Sequence, residues 1–243
     1  MGIQERKERE KEARREEIIN AAEKVFFEKG LVQSTMDEIA ETAELSKGTL
    51  YLYFKRKEDL YLAIHLRSEV LLYDMFEKAI AEEENPVRQL MRVGEAYYEF
   101  FRQHRNYFRT GYVFESPDLQ GVFSHDDFEV CVDTGNRIWA LLVDIIQRGI
   151  DQGMFHKDLV PMEAVVMLWS SNYGMLRVMD RQTGYWNEKM GVNLEGVLRK
   201  SNALLMGSMM TKKARKLVPS VLLFEETERQ DDVVPADHDA GTH

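Results

Sequence analysis

Residues 34–54 read STMDEIAETAELSKGTLYLYF, and their phase decides the fold. Thr35 stands ahead of Met36 and Asp37, with Glu38 three positions on, which is the capping-box pattern that starts a short helix. That helix ends near Ala43, and Ser46 caps a second one through about Tyr53. At about 100° per residue, Leu50 and Phe54 fall on one side, where they can pack against Ile39, Ala43 and Leu45. Gly48, Thr49 and Leu52 then face outward. Two short helices joined by a tight turn after a longer helix make a helix-turn-helix, whose second helix can enter the major groove.

The chemistry of the second helix agrees with that geometry. Ser46 to Lys57, SKGTLYLYFKRK, holds four cations, three aromatics and no acid in a chain of 243 residues with net charge −10. An acidic chain does not coat DNA indiscriminately, because non-specific affinity comes from cations neutralising phosphates, so any DNA contact is local. Lys47 and Thr49 sit in the first turn, within reach of base edges, and Gly48 lets the backbone approach closely. Leu52 lies opposite the core face; a thymine methyl would cover it, and a scattered surface leucine is the plainer alternative. Tyr51, Tyr53, Lys55 and Lys57 suit phosphate and sugar, and the helix N-terminus at Thr35 can hold a phosphate. Packing of the tyrosines against a neighbouring helix and a solvated loop at 55–57 are the competing readings.

Helical signals continue on both sides. Residues 1–14 alternate in charge and lack an apolar stripe, as in a frayed helix or a disordered arm. Ile18, Ile19, Ala22, Val25 and Phe26 then recur at helical spacing up to Gly30, which offers a left-handed stop. A long helix is expected from about Lys57 to Glu84, closed by Asn85-Pro86, which open the next. Val87 to Phe101 mark one helix and Asn106 to Phe114 a shorter aromatic one. Ser124 with Asp127 caps a helix to about Gly153, Pro161 opens another to about Arg181, and Asn193 caps a last one to about Arg215. From Pro219 onward seven acids face one arginine, and this stretch reads as disordered. No alternating apolar run reads as a hairpin, so the fold class expected is all-α.

The stretch from about Arg14 to Ala63 resembles the N-terminal domain of the TetR family of bacterial transcriptional regulators. The resemblance lies in IINAAEKVFFEKG of the first helix, STMDEIAETAELSKGTLYLYF of the helix-turn-helix, and KRKEDL at the start of the fourth. It implies a three-helix DNA-binding domain, joined by a long helix to a C-terminal bundle that dimerises through its last two helices and holds a ligand cavity. Lys47, Thr49, Tyr51 and Tyr53 match positions that commonly touch DNA in that family, and Lys57 its phosphate-binding lysine. The domain division expected is a charged flexible arm at 1–11, a DNA-binding domain at 12–72, a ligand-binding and dimerisation domain at 73–217 and an acidic tail at 218–243. One departure stands out: Glu44 occupies the turn position where the family usually has glycine. A left-handed residue there costs on the order of 1 kcal/mol.

The C-terminal part is dense in aromatics. Tyr97, Phe101, Phe108, Tyr112, Trp139 and Tyr173 are the candidates for lining a pocket for an apolar or aromatic ligand, an ordinary core being the alternative. Met162, Val166, Ser170, Gly174 and Arg177 form one stripe, and Ala203, Met206, Gly207 and Met210 another, as candidates for a homodimer interface. Dimerisation follows from the recognition helix itself, which alone reads only a few base pairs of a palindromic operator.

Other chemistries find little support. One cysteine, Cys131, permits no intrachain disulfide, and its acidic surroundings disfavour a reactive thiolate. No HxxxH or HExxH spacing appears; a metal site assembled from His125, Asp126, Asp127 and Cys131 is the one alternative, and no cofactor is expected. With no nucleophile–base pair, no apolar leader and no membrane span, the expectation is a cytoplasmic regulator rather than an enzyme. Specifically, it is a repressor released from double-stranded DNA by a small molecule. A constitutive or architectural DNA-binding protein would have a filled bundle, and a ligand-binding protein that has lost DNA binding would tolerate Lys47→Ala.

Overall fold

Helix α1 (Ile3–Gln33) begins inside the charged arm, so of the two forms expected there the helix is the one adopted. The computed structural model that shows this describes residues 2–112 and 125–218, with backbone alone for Ile3 and residues 125–134. Exposed pairs such as Arg6–Glu10, at 2.7 Å, line the first turns of α1, and Ile18, Ile19, Ala22, Val25 and Phe26 bury its later stripe. The helical run breaks at Gly30, whose φ of +77° needs a residue without Cβ strain.

Helices α2 (Met36–Thr42) and α3 (Lys47–Tyr53) follow with the caps expected of them. The Thr35 hydroxyl accepts from the Glu38 amide at 3.2 Å while the Glu38 carboxylate accepts from the Thr35 amide at 3.0 Å. The Ser46 hydroxyl accepts from the Thr49 amide at 3.1 Å. Between the helices, Glu44 is the one described non-glycine residue with positive φ, +55°. That conformation lets the Glu44 amide reach the Glu41 carbonyl at 3.0 Å and the Leu45 amide the Ala40 carbonyl at 2.9 Å. These bonds form the two-bond left-handed cap that glycine usually serves.

Helix α4 (Lys57–Ile80) ends before the expected Glu84, and Asn85 caps α5 (Pro86–Gln103) through the Val87 and Arg88 amides. A short α6 (Arg105–Thr110) leads toward residues 113–124; the expected extension to Phe114 and the Ser124–Asp127 cap lie outside the described residues. Then come α7 (His125–Asp151), α8 (Pro161–Gly184) with a terminal π-turn at Tyr185–Lys189, α9 (Leu194–Met209) and α10 (Lys212–Leu217).

The single last helix expected to Arg215 is in fact two. Met210 is extended (φ −78°, ψ 135°) and forms an isolated antiparallel bridge with Phe155, the one β pairing among the described residues. The Thr211 amide donates to the Met154 carbonyl at 2.9 Å and the His156 amide to the Met209 carbonyl at 3.0 Å. Phe155 is held there by lying on Gly149, where a Cβ would fall 2.2 Å from its ring. Thr211 then caps α10.

Three apolar clusters hold the helices. Ile18, Ile39, Leu50, Leu60 and Ile64 centre the first, among α1 to α4. Val87, Ile145, Val165, Met206 and Met210 centre the second, and Phe100, Phe108, Leu176 and Leu198 the third. Helix α4 contributes its first turns to the N-terminal helix-turn-helix unit and its last to the bundle.

Candidate nucleic-acid interface and ligand cavity

Helix α3 presents the faces its phase dictates. Leu50 and Phe54 are buried, and Leu52 is 78% exposed, more than any other large apolar side chain described. Lys47, Gly48, Tyr51 and Lys55 are exposed, Thr49 is half-buried with its hydroxyl 2.8 Å from that of Ser46, and Tyr53 leans on the first core. Lys47 meets Asp37 at 2.5 Å, an exposed pair that stabilises little and can open to a phosphate or a base. Lys55 rests on the Tyr51 carbonyl at 2.7 Å.

Two phosphate candidates make bonds within the chain. The Lys57 ammonium donates to the carbonyls of Leu31, Val32 and Ser34 at 2.8, 3.1 and 3.0 Å. Its three N–H bonds thus satisfy the orphan carbonyls after Gly30, which is a stabilising role. At Thr35 the Glu38 carboxylate accepts from both the amide and the hydroxyl of Thr35. The Lys29 ammonium, 2.6 Å away, and the Thr35 amide hold that carboxyl below its usual range.

A cavity of about 960 Å³ lies among α4, α5, α7, α8 and α9, at the upper end of small-molecule sites. Tyr97, Phe108, Trp139 and Tyr173 line it as expected. Phe101 and Tyr112 do not. Phe101 is buried edge-on against Phe108 at 5.0 Å, and Tyr112 packs between Phe108 and Tyr173 with its hydroxyl 3.3 Å from Asp180. Burial and Asp180 push the Tyr112 phenol up to about 12.

The sequence reading missed Trp169, which stacks on Tyr173 at 5.3 Å, and the polar wall. His65, Ser68, Glu69 and Leu72 recur at helical spacing on α4 and all face the cavity. That spacing was the available signal. Asn172 and Asn202 exchange amide hydrogen bonds, both 2.9 Å, and tie α8 to α9 at the same cavity.

Helix α6 lies between the cavity and the N-terminal helix-turn-helix unit. Tyr107 lines the cavity, packs edge-on against Phe27 at 5.5 Å and donates to Glu23 of α1 at 2.8 Å. Glu23 also accepts from Arg67 of α4 at 2.8 Å, and Arg67 reaches Glu16 at 2.6 Å. On the other flank Asp180, its side chain 3% exposed, receives Arg105 at 2.5 Å and Arg109 at 2.9 Å. Burial opposes its ionisation, but the bonds from Arg109 and Arg105 prevail and hold its carboxyl below the usual range.

The interface candidates divide. Met162, Val166, Ser170 and Gly174 are exposed along α8. Arg177 is half-buried, its guanidinium 4.8 Å from the Tyr112 ring centre. The α9 set is corrected: Met206, Gly207 and Met210 are buried in the protomer and Ala203 is half-buried on the cavity wall. Leu204, 68% exposed, carries the outward face of α9 instead. The metal alternative at His125, Asp126, Asp127 and Cys131 lies outside the described side chains.

Two family models match the chain. Residues 18–64 match "Bacterial regulatory proteins, tetR family", and residues 90–183 match "Tetracyclin repressor-like, C-terminal domain". Over 147 residues, 60% of this chain and 72% of the relative, it is 26% identical to the HTH-type transcriptional repressor KstR2 of Mycobacterium tuberculosis. It is 32% identical over 109 residues to the HTH-type transcriptional activator FasR of Mycolicibacterium smegmatis, covering 43% of this chain and 50% of that one. Among solved structures, the transcriptional regulator FadR of Bacillus subtilis in complex with stearoyl-CoA superposes with a TM-score of 0.63 at 21% identity. That match covers 79% of this chain and 98% of that one.

Proposed function

Since the chain belongs to the TetR family of bacterial transcriptional regulators, we propose that it is a cytoplasmic homodimeric repressor, released from a palindromic operator when an apolar or aromatic effector fills the cavity. Helix α4 carries this reading. It begins directly after the recognition helix, and from His65, eight residues beyond its first residue Lys57, it forms the cavity wall. A ligand pressing on His65, Ser68 and Leu72 therefore acts on the same rigid element that sets the position of α3. The α6 contacts from Tyr107 and Thr110 provide a second mechanical link to α1 and α4. The stearoyl-CoA of the structurally similar regulator supports an apolar effector.

Release requires the ligand to prefer the conformation that does not fit DNA. A ligand with equal affinity for both conformations leaves the operator bound. The exposed face of α8 with Leu204 of α9 supports dimerisation, which would place two copies of α3 about 34 Å apart on successive major-groove half-sites.

Binding to the duplex upstream of the gene, in competition with random DNA across a salt series, tests the reading. A site about a thousandfold tighter than random DNA at moderate salt is expected, and the absence of any preferred site overturns it. Deleting the gene should raise the adjacent transcript. A fall would make the protein an activator, as its M. smegmatis relative is named.

A further inference from the structure

We propose that the effector carries a hydrogen-bond acceptor, a carbonyl oxygen, on its apolar body, and that the side-chain amide of Asn202 donates to it. The inference rests on reading the cavity as the effector site. Asn172 and Asn202 both lie on the cavity wall, and their mutual bonds hold the two amides in one orientation. Asn172 Nδ2 donates one hydrogen to the Leu168 carbonyl at 2.8 Å, which fixes which end of that amide is the nitrogen. Its other hydrogen goes to Asn202 Oδ1 at 2.9 Å. Asn202 Nδ2 returns one hydrogen to Asn172 Oδ1 at 2.9 Å. An amide nitrogen carries two, so one N–H of Asn202 is left with no partner among the described residues.

The surface that Asn202 keeps faces the cavity. On α9 it falls in phase with Leu198, Met206 and Met209, all buried, so it stands on the inward side of the helix. It is nevertheless only half-buried, because the cavity lies there. Gly94 of α5 stands opposite and leaves room beside the nitrogen. A methyl group on Gly94 would meet Asn202 Nδ2 at 3.9 Å and no other side chain within 4 Å. Each of the two amide oxygens already accepts one N–H, and an oxygen tolerates an unused lone pair better than a nitrogen tolerates an unused hydrogen. The pair therefore selects for an acceptor. Leu90, Val93, Leu142, Leu168 and Met206 line the same cavity and receive the apolar body.

The test uses the full chain and two probes on one phenylbutyl skeleton: butyrophenone, which carries a ketone, and butylbenzene, which carries no polar group. Binding is read by calorimetry. Butyrophenone should bind at least as tightly as butylbenzene, although its carbonyl costs more to take from water. Asn202→Leu keeps the volume and removes the donor; it should weaken butyrophenone relative to butylbenzene by about three- to tenfold. Gly94→Ser places a hydroxyl beside Nδ2 that accepts the same N–H, and it should lower the ratio equally while leaving both amides in place. If Asn202→Leu fails to fold, Gly94→Ser carries the test alone. Wild-type protein that binds butyrophenone more weakly than butylbenzene overturns the inference and leaves the cavity reading standing, as does a ratio that neither substitution lowers. Failure of both probes to bind overturns the cavity reading with it.

Discussion

Lys55 and Lys57 stand two positions apart in one basic run, and the structure separates them. Lys57 satisfies three backbone carbonyls after α1, so Lys57→Met should destabilise the protein by about 1–3 kcal/mol in thermal unfolding and leave the salt dependence of DNA binding unchanged. Lys55, exposed and bound to one carbonyl, should behave oppositely: Lys55→Ala lowers the slope of log affinity against log salt by about 1 with little change in stability. Sequence could not distinguish them, because the partners of Lys57 lie more than twenty residues upstream. Leu52 was legible, since helical phase alone puts it opposite Leu50. Asp180 makes a second residue-scale prediction. Its folded carboxyl is held below the ordinary value near 3.8, so the unfolded chain binds the extra proton and the Arg105–Asp180–Arg109 group stabilises at higher pH. That contribution, about 2 kcal/mol, is complete above the unfolded value and fades as pH falls through the folded one. The difference in melting temperature between wild type and Asp180→Asn should therefore be largest near pH 6 and shrink toward pH 3.

Among the elements, those closed by their own neighbours in sequence were the ones the sequence could show. The caps at Thr35, Ser46 and Asn85 and the breaks at Gly30 and Glu44 are local hydrogen-bond or φ requirements written within five residues. The division of α9 from α10 was not legible, because it is set by Phe155 seated on Gly149 and by amides bonding across some fifty residues of chain. The inward turn of Met206 and Met210 was equally hidden: α9 has apolar residues on both faces, so periodicity alone cannot say which face is the core. Helix α6 was read only as aromatic, yet Tyr107 and Thr110 connect cavity and DNA-reading unit. Tyr107→Phe keeps the ring against Phe27 and removes the bond to Glu23. Operator affinity without effector should stay within about twofold. The effector-induced change in affinity should shrink about three- to tenfold, the ordinary range of a coupling energy. An unaltered response would remove α6 from the route.

For the whole molecule, the proposed function has an acidic chain read DNA through one small basic surface and sense a ligand through a cavity built on the helix that follows it. The aromatic candidates showed the composition of that cavity, while which rings line it and which fill the core depended on packing between α6 and α8. A single recognition helix holds too few base pairs, so the exposed face of Val166, Met167 and Leu204 should be covered by a second copy. Leu204→Glu is expected to yield a monomer in sedimentation velocity and to weaken operator binding by about a hundredfold or more, with the protomer still folded. The central claim is that occupancy of the cavity controls the hold on DNA. Its most direct test is operator affinity measured by fluorescence anisotropy on one protein sample, with the cavity empty and then saturated by a ligand whose entry is followed at Trp139 and Trp169. A fall in affinity of at least about tenfold, tracking the tryptophan signal, is the result predicted. Full occupancy of the cavity with operator affinity unchanged would contradict the account.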